Sequence, residues 1–141
     1  MNQDLASILG IHTKKHPDSL EMARSIEEGF PPSTIDRLKH ELDVTDLFIS
    51  AMIGRTTKTV GRMRSSKGKR LPVIVSDRLF RLMRIYARAK EVFEDSTPAR
   101  EWLHSPQIGL NNRTPLDLVM TEAGEREVEN LLTRIEHGVI S

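Results

Sequence analysis

Apolar residues recur at helical spacing through most of the chain. The longest stripe runs from Leu79 to Phe93, and it predicts a long helix that is capped by Ser76 and continues through Glu94. Its outer face would carry Arg78, Arg81, Arg84 and Arg88. No segment alternates with period two for long enough to indicate a strand, and Pro72 argues against a central strand in the β-branched residues beside it. The pattern predicts an all-α chain in two parts.

Two short helices with a tight turn between them are predicted ahead of the long helix. Thr45 would cap the first helix and Gly54 would end it, because glycine readily adopts the left-handed conformation found after a helix end. Thr56 or Thr57 would cap the second helix, which runs to about Ser65. The inward face of the first helix is expected to be Leu47, Phe48, Ala51 and Met52. This arrangement is typical of a helix-turn-helix.

Further helices are expected on both sides of this pair. Residues 1–28 carry mixed helical signals and would form an N-terminal helical arm, which ends at the break over residues 29–32. Ser33 is the candidate N-cap of the next helix. Trp102 is expected to anchor the core against the long helix. Later helix starts are expected at Thr97-Pro98, Thr114-Pro115 and Thr121, and a helix end at Gly138.

The net charge of +1 hides an uneven distribution along the chain. Residues 1–54 carry −4, residues 55–90 carry +11 and residues 91–141 carry −6. A basic middle between acidic flanks indicates a part that meets a polyanion, although a solvated basic face is the simpler alternative. The chain has no cysteine, which excludes disulfides and thiol chemistry and fits a reducing cytoplasm. No apolar run is long enough to span a bilayer, and the N-terminus lacks the charge order of a secretory signal.

The second helix of the pair has the residue types of a DNA-recognition helix. Val60 and Met63 can face the core, three residues apart. The side chains that then face away, and could reach base edges, are Thr57, Lys58, Thr59 and Arg62. Thr56 is placed for a phosphate, together with backbone N–H groups. A second group suited to phosphate contacts comprises Arg64, Lys67, Lys69 and Arg70. A homodimer is expected, since one such helix reads only a few base pairs.

The acidic C-terminal half carries no constellation for catalysis. There is no glycine-rich phosphate loop and no nucleophile with a partnering base, so we expect neither an enzyme nor a cofactor. His12 and His16 have a spacing that could share a metal, but no third ligand is near, so no metal site is expected. The segment from Glu129 to Ser141 ends on apolar residues, which either pack on their own domain or dock on a partner protein.

A set of blocks recurs in order over roughly residues 29–141. The blocks are Gly29-Phe30-Pro31, the helix-turn-helix, the residues 76–82, 89–95 and 99–103, Thr114-Pro115-Leu116-Asp117-Leu118, Thr121-Glu122-Ala123-Gly124, and Arg134-Ile135-Glu136-His137-Gly138. Together they resemble the Xre/MbcA/ParS antitoxin family, and residues 1–28 lie outside the match. Asn111-Asn112 stands where that family usually has Gly-Gly, and asparagine tolerates the left-handed conformation that such a turn needs.

The resemblance implies an Xre-like helix-turn-helix domain at residues 29–75 and a small helical toxin-binding domain at residues 76–141. It implies an antitoxin whose partner is a RES-domain toxin that consumes NAD, and a complex that represses its own operon. The toxin would be neutralised by C-terminal helices that cover the entrance of its active site. The expected toxin contacts are Glu129, Leu132, Thr133, Arg134, Glu136, His137, Gly138, Val139 and Ile140. The alternative is a stand-alone dimeric repressor whose C-terminal half only dimerises.

Overall fold

The computed structural model describes residues 19–138, and its regular structure is helical, as the sequence predicts. The eight α-helices of this part of the chain are α1 (Ser19–Glu28), α2 (Ser33–Leu42), α3 (Asp46–Ile53), α4 (Thr57–Ser65), α5 (Val73–Phe93), α6 (Ser96–His104), α7 (Pro115–Leu118) and α8 (Glu122–Glu136). A 3₁₀ turn, Ile108–Leu110, lies between α6 and α7. The contacts divide the chain into an N-terminal unit that ends at Met83 and a C-terminal unit that begins at Arg84, so α5 contributes to both.

Helices α2, α3 and α4 pack on one another in the N-terminal unit. Thr45 caps α3, with its hydroxyl accepting from the Phe48 N–H at 3.1 Å, and Gly54 ends that helix at a φ of 68°. Thr56 caps α4 in the same way by accepting from the Thr59 N–H at 3.1 Å. The expected cap at Thr45 and the helix end at Gly54 are confirmed, and Thr56 is the cap of α4 among the two candidates. The two helices form the helix-turn-helix between Thr45 and Ser65.

The inward face of α3 differs from the expected one. Met52 is buried as predicted, but Leu47 is 71% exposed and Ala51 is exposed, while Ile49 and Ile53 are fully buried. Helix α3 is only eight residues long and mostly apolar. Its periodicity therefore does not single out one face, and packing against α2 and α4 decides which side is buried.

Two predicted caps are wrong. Helix α2 begins at Ser33 with Pro32 at the cap position and no side-chain cap bond. The long helix α5 begins at Val73, earlier than expected, and Ser76 lies buried inside its first turn. Instead of capping, the Ser76 hydroxyl accepts from the N–H of Phe30 at 2.9 Å. This long-range bond satisfies a buried backbone donor, which no local signal in the sequence indicates.

The C-terminal unit contains the C-terminal part of α5, and within it α7 packs on α6 and α8. Thr114 caps α7, with Pro115 in its first turn, and Thr121 caps α8, as predicted. Helix α6 begins at Ser96, slightly before the expected Thr97-Pro98 start. Trp102 lies beside Phe93 of α5, with ring centroids 5.6 Å apart, so its expected contact with the long helix is confirmed. Both rings are half-buried, so Trp102 is not the core anchor that was expected.

The two asparagines of the turn before α7 adopt the conformation expected of them. Asn111 has a φ of 57° and Asn112 a φ of 61°, both left-handed. Hydrogen bonds from the Asn111 N–H to the Ile108 carbonyl and from the Asn112 N–H to the Gln107 carbonyl close the turn. The chain thus forms without glycine a turn that normally favours glycine.

Candidate nucleic-acid interface and partner-binding face

Helix α4 turns one apolar side chain inward and its polar side chains outward. Val60 is fully buried, and Met63 is half-buried beside it along the helix. Thr57, Lys58 and Arg62 are exposed, and Thr59 is half-buried. The expected base-reading side chains are therefore brought together on the outer surface of one short helix, close to its N-terminus.

Thr56 has a structural role at the start of α4. Its hydroxyl accepts from the Thr59 N–H and donates to the Thr59 hydroxyl at 3.0 Å. The remaining N–H groups of the first turn and the positive end of the helix dipole are of a kind that favours anions. A phosphate contact at Thr56 stays a prediction, and it would involve the backbone more than this engaged hydroxyl.

The basic loop, residues 66–70, follows α4 and carries three exposed cations. Lys67, Lys69 and Arg70 all project from a loop that turns at Gly68, where φ is 76°. The loop is attached at its far end, where the Leu71 N–H donates to the Phe30 carbonyl at 2.8 Å. Its arrangement suits contacts to a phosphate backbone, because lysine and arginine can reach charged oxygens without a fixed base register.

Arg64 differs from the other cations of this region, because it has partners inside the unit. Its Nε donates to Asp36 Oδ1 at 2.6 Å, and its Nη1 lies 3.1 Å from Asp46 Oδ2. Asp46 is also bound by Lys39, with Nζ and Oδ1 2.7 Å apart. The guanidinium of Arg64 is therefore engaged by two carboxylates, unlike the loop cations, and the phosphate contact expected of Arg64 stays a prediction.

The charges around Asp46 change its titration. The hydrogen bond from Lys39 is the main cause that lowers the pKa of Asp46 below its usual value, and Arg64 adds to it. Sequence reasoning missed this cluster because its members lie on three different helices. Asp36 and Asp46 are first-turn acids, so each has a sufficient local explanation in the helix dipole.

Helix α8 places most of the expected toxin contacts on its outer surface. Thr133, Glu136, His137 and Gly138 are exposed, and Glu129 and Arg134 are half-buried. Leu132 is fully buried, which gives it a packing role in the core, and the toxin contact expected of it stays a prediction. It continues the stripe of Val128 and Leu131. Val139 and Ile140 lie outside the described residues, and their role stays a prediction.

Two arginines of α5 bind carboxylates of α8. Arg84 pairs with the nearly buried Glu125 and lies 3.4 Å from Glu129. Arg88 donates to both carboxylate oxygens of Glu136, at 2.6 and 2.9 Å. The hydrogen bond from Arg88 lowers the pKa of Glu136 below its usual value. The sequence placed both arginines on an outer face, and tertiary packing gives them partners there.

Other kinds of site are not found in the part of the chain that the structure describes. Between residues 19 and 138 no group of histidine, aspartate and glutamate side chains is arranged to hold a metal ion. The pair His12 and His16 lies outside that range. Over the same residues no helix has the length and apolar character needed to cross a membrane.

Comparisons with known proteins place a recognised domain on each of the two units. Residues 21–84 match the model of the antitoxin Xre-like helix-turn-helix domain. Residues 88–138 match the model of the antitoxin Xre/MbcA/ParS C-terminal toxin-binding domain. These two ranges follow the division of the fold at Met83 and Arg84.

Whole-chain relatives and a solved structure agree with the domain matches. An antitoxin Xre of Photorhabdus laumondii is 32% identical over 117 residues, which cover 82% of this chain and 78% of the relative. An antitoxin Xre of Yersinia enterocolitica is 33% identical over 118 residues, 83% of this chain and 79% of the relative. A chain in the crystal structure of the M. tuberculosis MbcT–MbcA toxin–antitoxin complex has the same fold. It aligns with a TM-score of 0.54 and 24% identity over 78% of this chain and 96% of its own length.

Proposed function

Because the chain belongs to the Xre antitoxin family, we propose that it neutralises a RES-domain toxin that consumes NAD and represses its own operon. The observation that carries the proposal is the match of a helix-turn-helix model and a toxin-binding model to separate units of one chain. One unit would read operator DNA and the other would bind the toxin. The production of both proteins would then depend on how much toxin remains unbound.

The toxin-binding half of the proposal rests on the outer surface of α8. The end of α8 and the residue after it expose the Thr133 hydroxyl, the His137 imidazole and the Glu136 carboxylate, the last of which is paired with Arg88. The buried stripe below them fixes the helix to its own unit, so the surface is offered on a rigid support. Seated over the entrance of the toxin's active site, this helix would exclude the dinucleotide by steric blockage.

The DNA-binding half rests on α4 and the basic loop. Thr57, Lys58, Thr59 and Arg62 would read base edges, and Lys67, Lys69 and Arg70 would contact phosphates. A homodimer would present two such helices to a palindromic operator. Since the toxin and the operator would both be met in the bacterial cytoplasm, we propose that the protein acts there. The proposed role needs neither catalysis nor a cofactor.

Co-expression with the product of the neighbouring gene tests the toxin half. We expect the full chain to relieve the growth arrest that this product causes, and a chain truncated before Glu129 to fail. Persistent arrest with the full chain contradicts the antitoxin proposal, and the stand-alone repressor then remains. Relief by the truncated chain contradicts docking through the end of α8.

Arg62→Ala tests the DNA half. Loss of one base-reading arginine should weaken binding to the DNA upstream of the gene by about 1–3 kcal/mol, while neutralisation of the toxin persists. Arg126→Ala is the matched control, since it removes one positive charge from the exposed surface of α8. Unchanged DNA affinity in the Arg62 variant rules out α4 as the reading helix.

A further inference from the structure

We propose that Arg64 is a positioning residue, which holds the recognition helix α4 at the orientation needed to discriminate its operator. The inference rests on the DNA-binding half of the proposed function. Arg64 lies in the last turn of α4, at the opposite end from the cap Thr56. Its guanidinium binds Asp36 in the first turn of α2 and Asp46 at the first residue of α3. One side chain therefore ties α4 both to α3, its partner in the helix-turn-helix, and to the preceding helix α2.

The geometry requires an arginine. The Nε atom faces Asp36 at 2.6 Å, while Nη1 faces the two oxygens of Asp46 at 3.1 and 3.3 Å. A planar guanidinium has separate donors pointing at two carboxylates, whereas a lysine ammonium is a single point charge. Lys39 holds Asp46 from the other side at 2.7 Å. We call this set of Asp36, Lys39, Asp46 and Arg64 the acid–base clamp.

Helix α4 packs on α2 and α3, but only one of its side chains is fully buried, so the clamp adds an attachment beyond that packing. Val60 is its buried residue, and the rest of its surface is exposed or half-buried. The turn at Gly54 and the cap at Thr56 fix the N-terminal end of the helix. A rigid helix that is held at one end and at one central residue can still tilt. The clamp supplies the third point of attachment, at the C-terminal end.

The competing assignment is that Arg64 contacts a DNA phosphate, since its side chain is 33% exposed. The two roles differ in what they do to binding. Loss of a phosphate contact weakens binding to all sequences alike and lowers the slope of log affinity against log salt by about 0.9. Loss of a positioning contact misplaces the base-reading side chains, so it lowers the preference for the operator and leaves the salt slope unchanged.

The experiment compares full-length wild type, Arg64→Ala, Asp36→Asn and Lys67→Ala. Each is titrated with a duplex from directly upstream of the gene and with an unrelated duplex of equal length, over a range of salt. We expect Arg64→Ala to reduce the preference for the upstream duplex by about five- to tenfold at constant slope, which is the lower part of the range that one misread base contact produces. Lys67→Ala, in the exposed loop, should weaken binding to both duplexes and lower the slope.

Asp36→Asn separates the two roles most sharply, because it removes a negative charge and keeps Arg64. If Arg64 were a phosphate contact restrained by Asp36, this variant would bind both duplexes more tightly with the preference kept. If the clamp positions α4, the preference falls as it does in Arg64→Ala. A lowered slope in Arg64→Ala together with a kept preference in Asp36→Asn overturns the proposal.

Amide hydrogen exchange of the free proteins tests, without DNA, whether the clamp holds the C-terminal end of α4. Exchange at residues 61–65 should accelerate about two- to fivefold in Arg64→Ala and Asp36→Asn, relative to the core amides of α2, and stay unchanged in Lys67→Ala. Unchanged exchange in the first two variants also overturns the clamp. If wild type binds both duplexes with equal affinity, that result contradicts autorepression. The exchange result then still decides whether the clamp positions α4.

Discussion

Helices α4 and α8 begin with the same kind of cap but differ in how many of their side chains are buried. Each has a threonine cap, Thr56 or Thr121, and each contains a glycine after it. Helix α4 buries Val60 and exposes most of its other side chains. Helix α8 buries Glu125 and a stripe of three aliphatic residues, and its carboxylates bind arginines of α5.

The difference shows how the positive charge of residues 55–90 is divided. In the N-terminal unit, Lys58, Arg62 and the loop cations are exposed around α4. In the C-terminal unit, Arg84 and Arg88 are paired with acids of the same unit. The charge counted along the sequence therefore overstates the positive charge that a polyanion could meet, because part of that charge is paired with acids of the C-terminal unit.

The largest expected effect concerns the core side of α8. Leu132→Ala should lower the free energy of unfolding by about 2–5 kcal/mol, because it opens a cavity at a fully buried position. Urea unfolding checks this value. Thr133→Ala, one residue further on the exposed side, is the control and should change stability little. If Leu132→Ala kept full stability but lost toxin binding, the division of α8 into a core side and a contact side would be wrong.

The two helices differ in the space around their glycines, Gly61 in α4 and Gly124 in α8. A Cβ on Gly124 would collide with the Leu118 carbonyl, whereas a Cβ on Gly61 would meet nothing within 4 Å. Gly124→Ala should cost about 1–3 kcal/mol through overpacking. Gly61→Ala should instead stabilise the N-terminal unit by about 0.5–1 kcal/mol, since alanine favours the helix. Thermal unfolding measures the change in stability of both variants. If both melting temperatures shifted in the same direction, the expected contrast between the two glycines would be contradicted.

The ion pairs of α8 should have unequal effects. Arg84→Ala removes a partner of the nearly buried Glu125 and should cost about 1–2 kcal/mol. Arg126 and Glu122 are 72% and 78% exposed and lie 3.8 Å apart, so Arg126→Ala should cost about 0–0.5 kcal/mol. Chemical denaturation of both variants gives the comparison. Equal costs would mean that burial of Glu125 does not strengthen its dependence on Arg84.

The smallest effect is a pH dependence at Glu136. Arg88 lowers the folded-state pKa of this carboxyl below its usual 4.5, so its pairing stabilises the fold above that pH. The contribution is lost as pH falls through the lowered value. The stability difference between wild type and Glu136→Gln should thus be present at neutral pH and vanish in acid. A difference that persists in strong acid would point to packing and not to the ion pair.

The sequence by itself determined the local structure and the family. Thr45, Thr114 and Thr121 were assigned correctly as caps, since a cap bond joins residues only three apart. For α4 the sequence left Thr56 and Thr57 open, and the structure selects Thr56. The left-handed turn at Asn111 follows from residue type in the same way. The ordered blocks of the C-terminal half indicated the antitoxin family that the comparisons show.

Tertiary structure decided what each exposed or charged residue does. Ser76 satisfies the distant N–H of Phe30 and not a helix start. Arg64 and Arg88 bind acids on other helices, which their own helical spacing could not reveal. Ile49 and not Leu47 entered the core, because both sides of α3 are apolar and only its neighbours select one. Local hydrogen bonds span a few residues, whereas burial and pairing depend on where the chain brings its helices together.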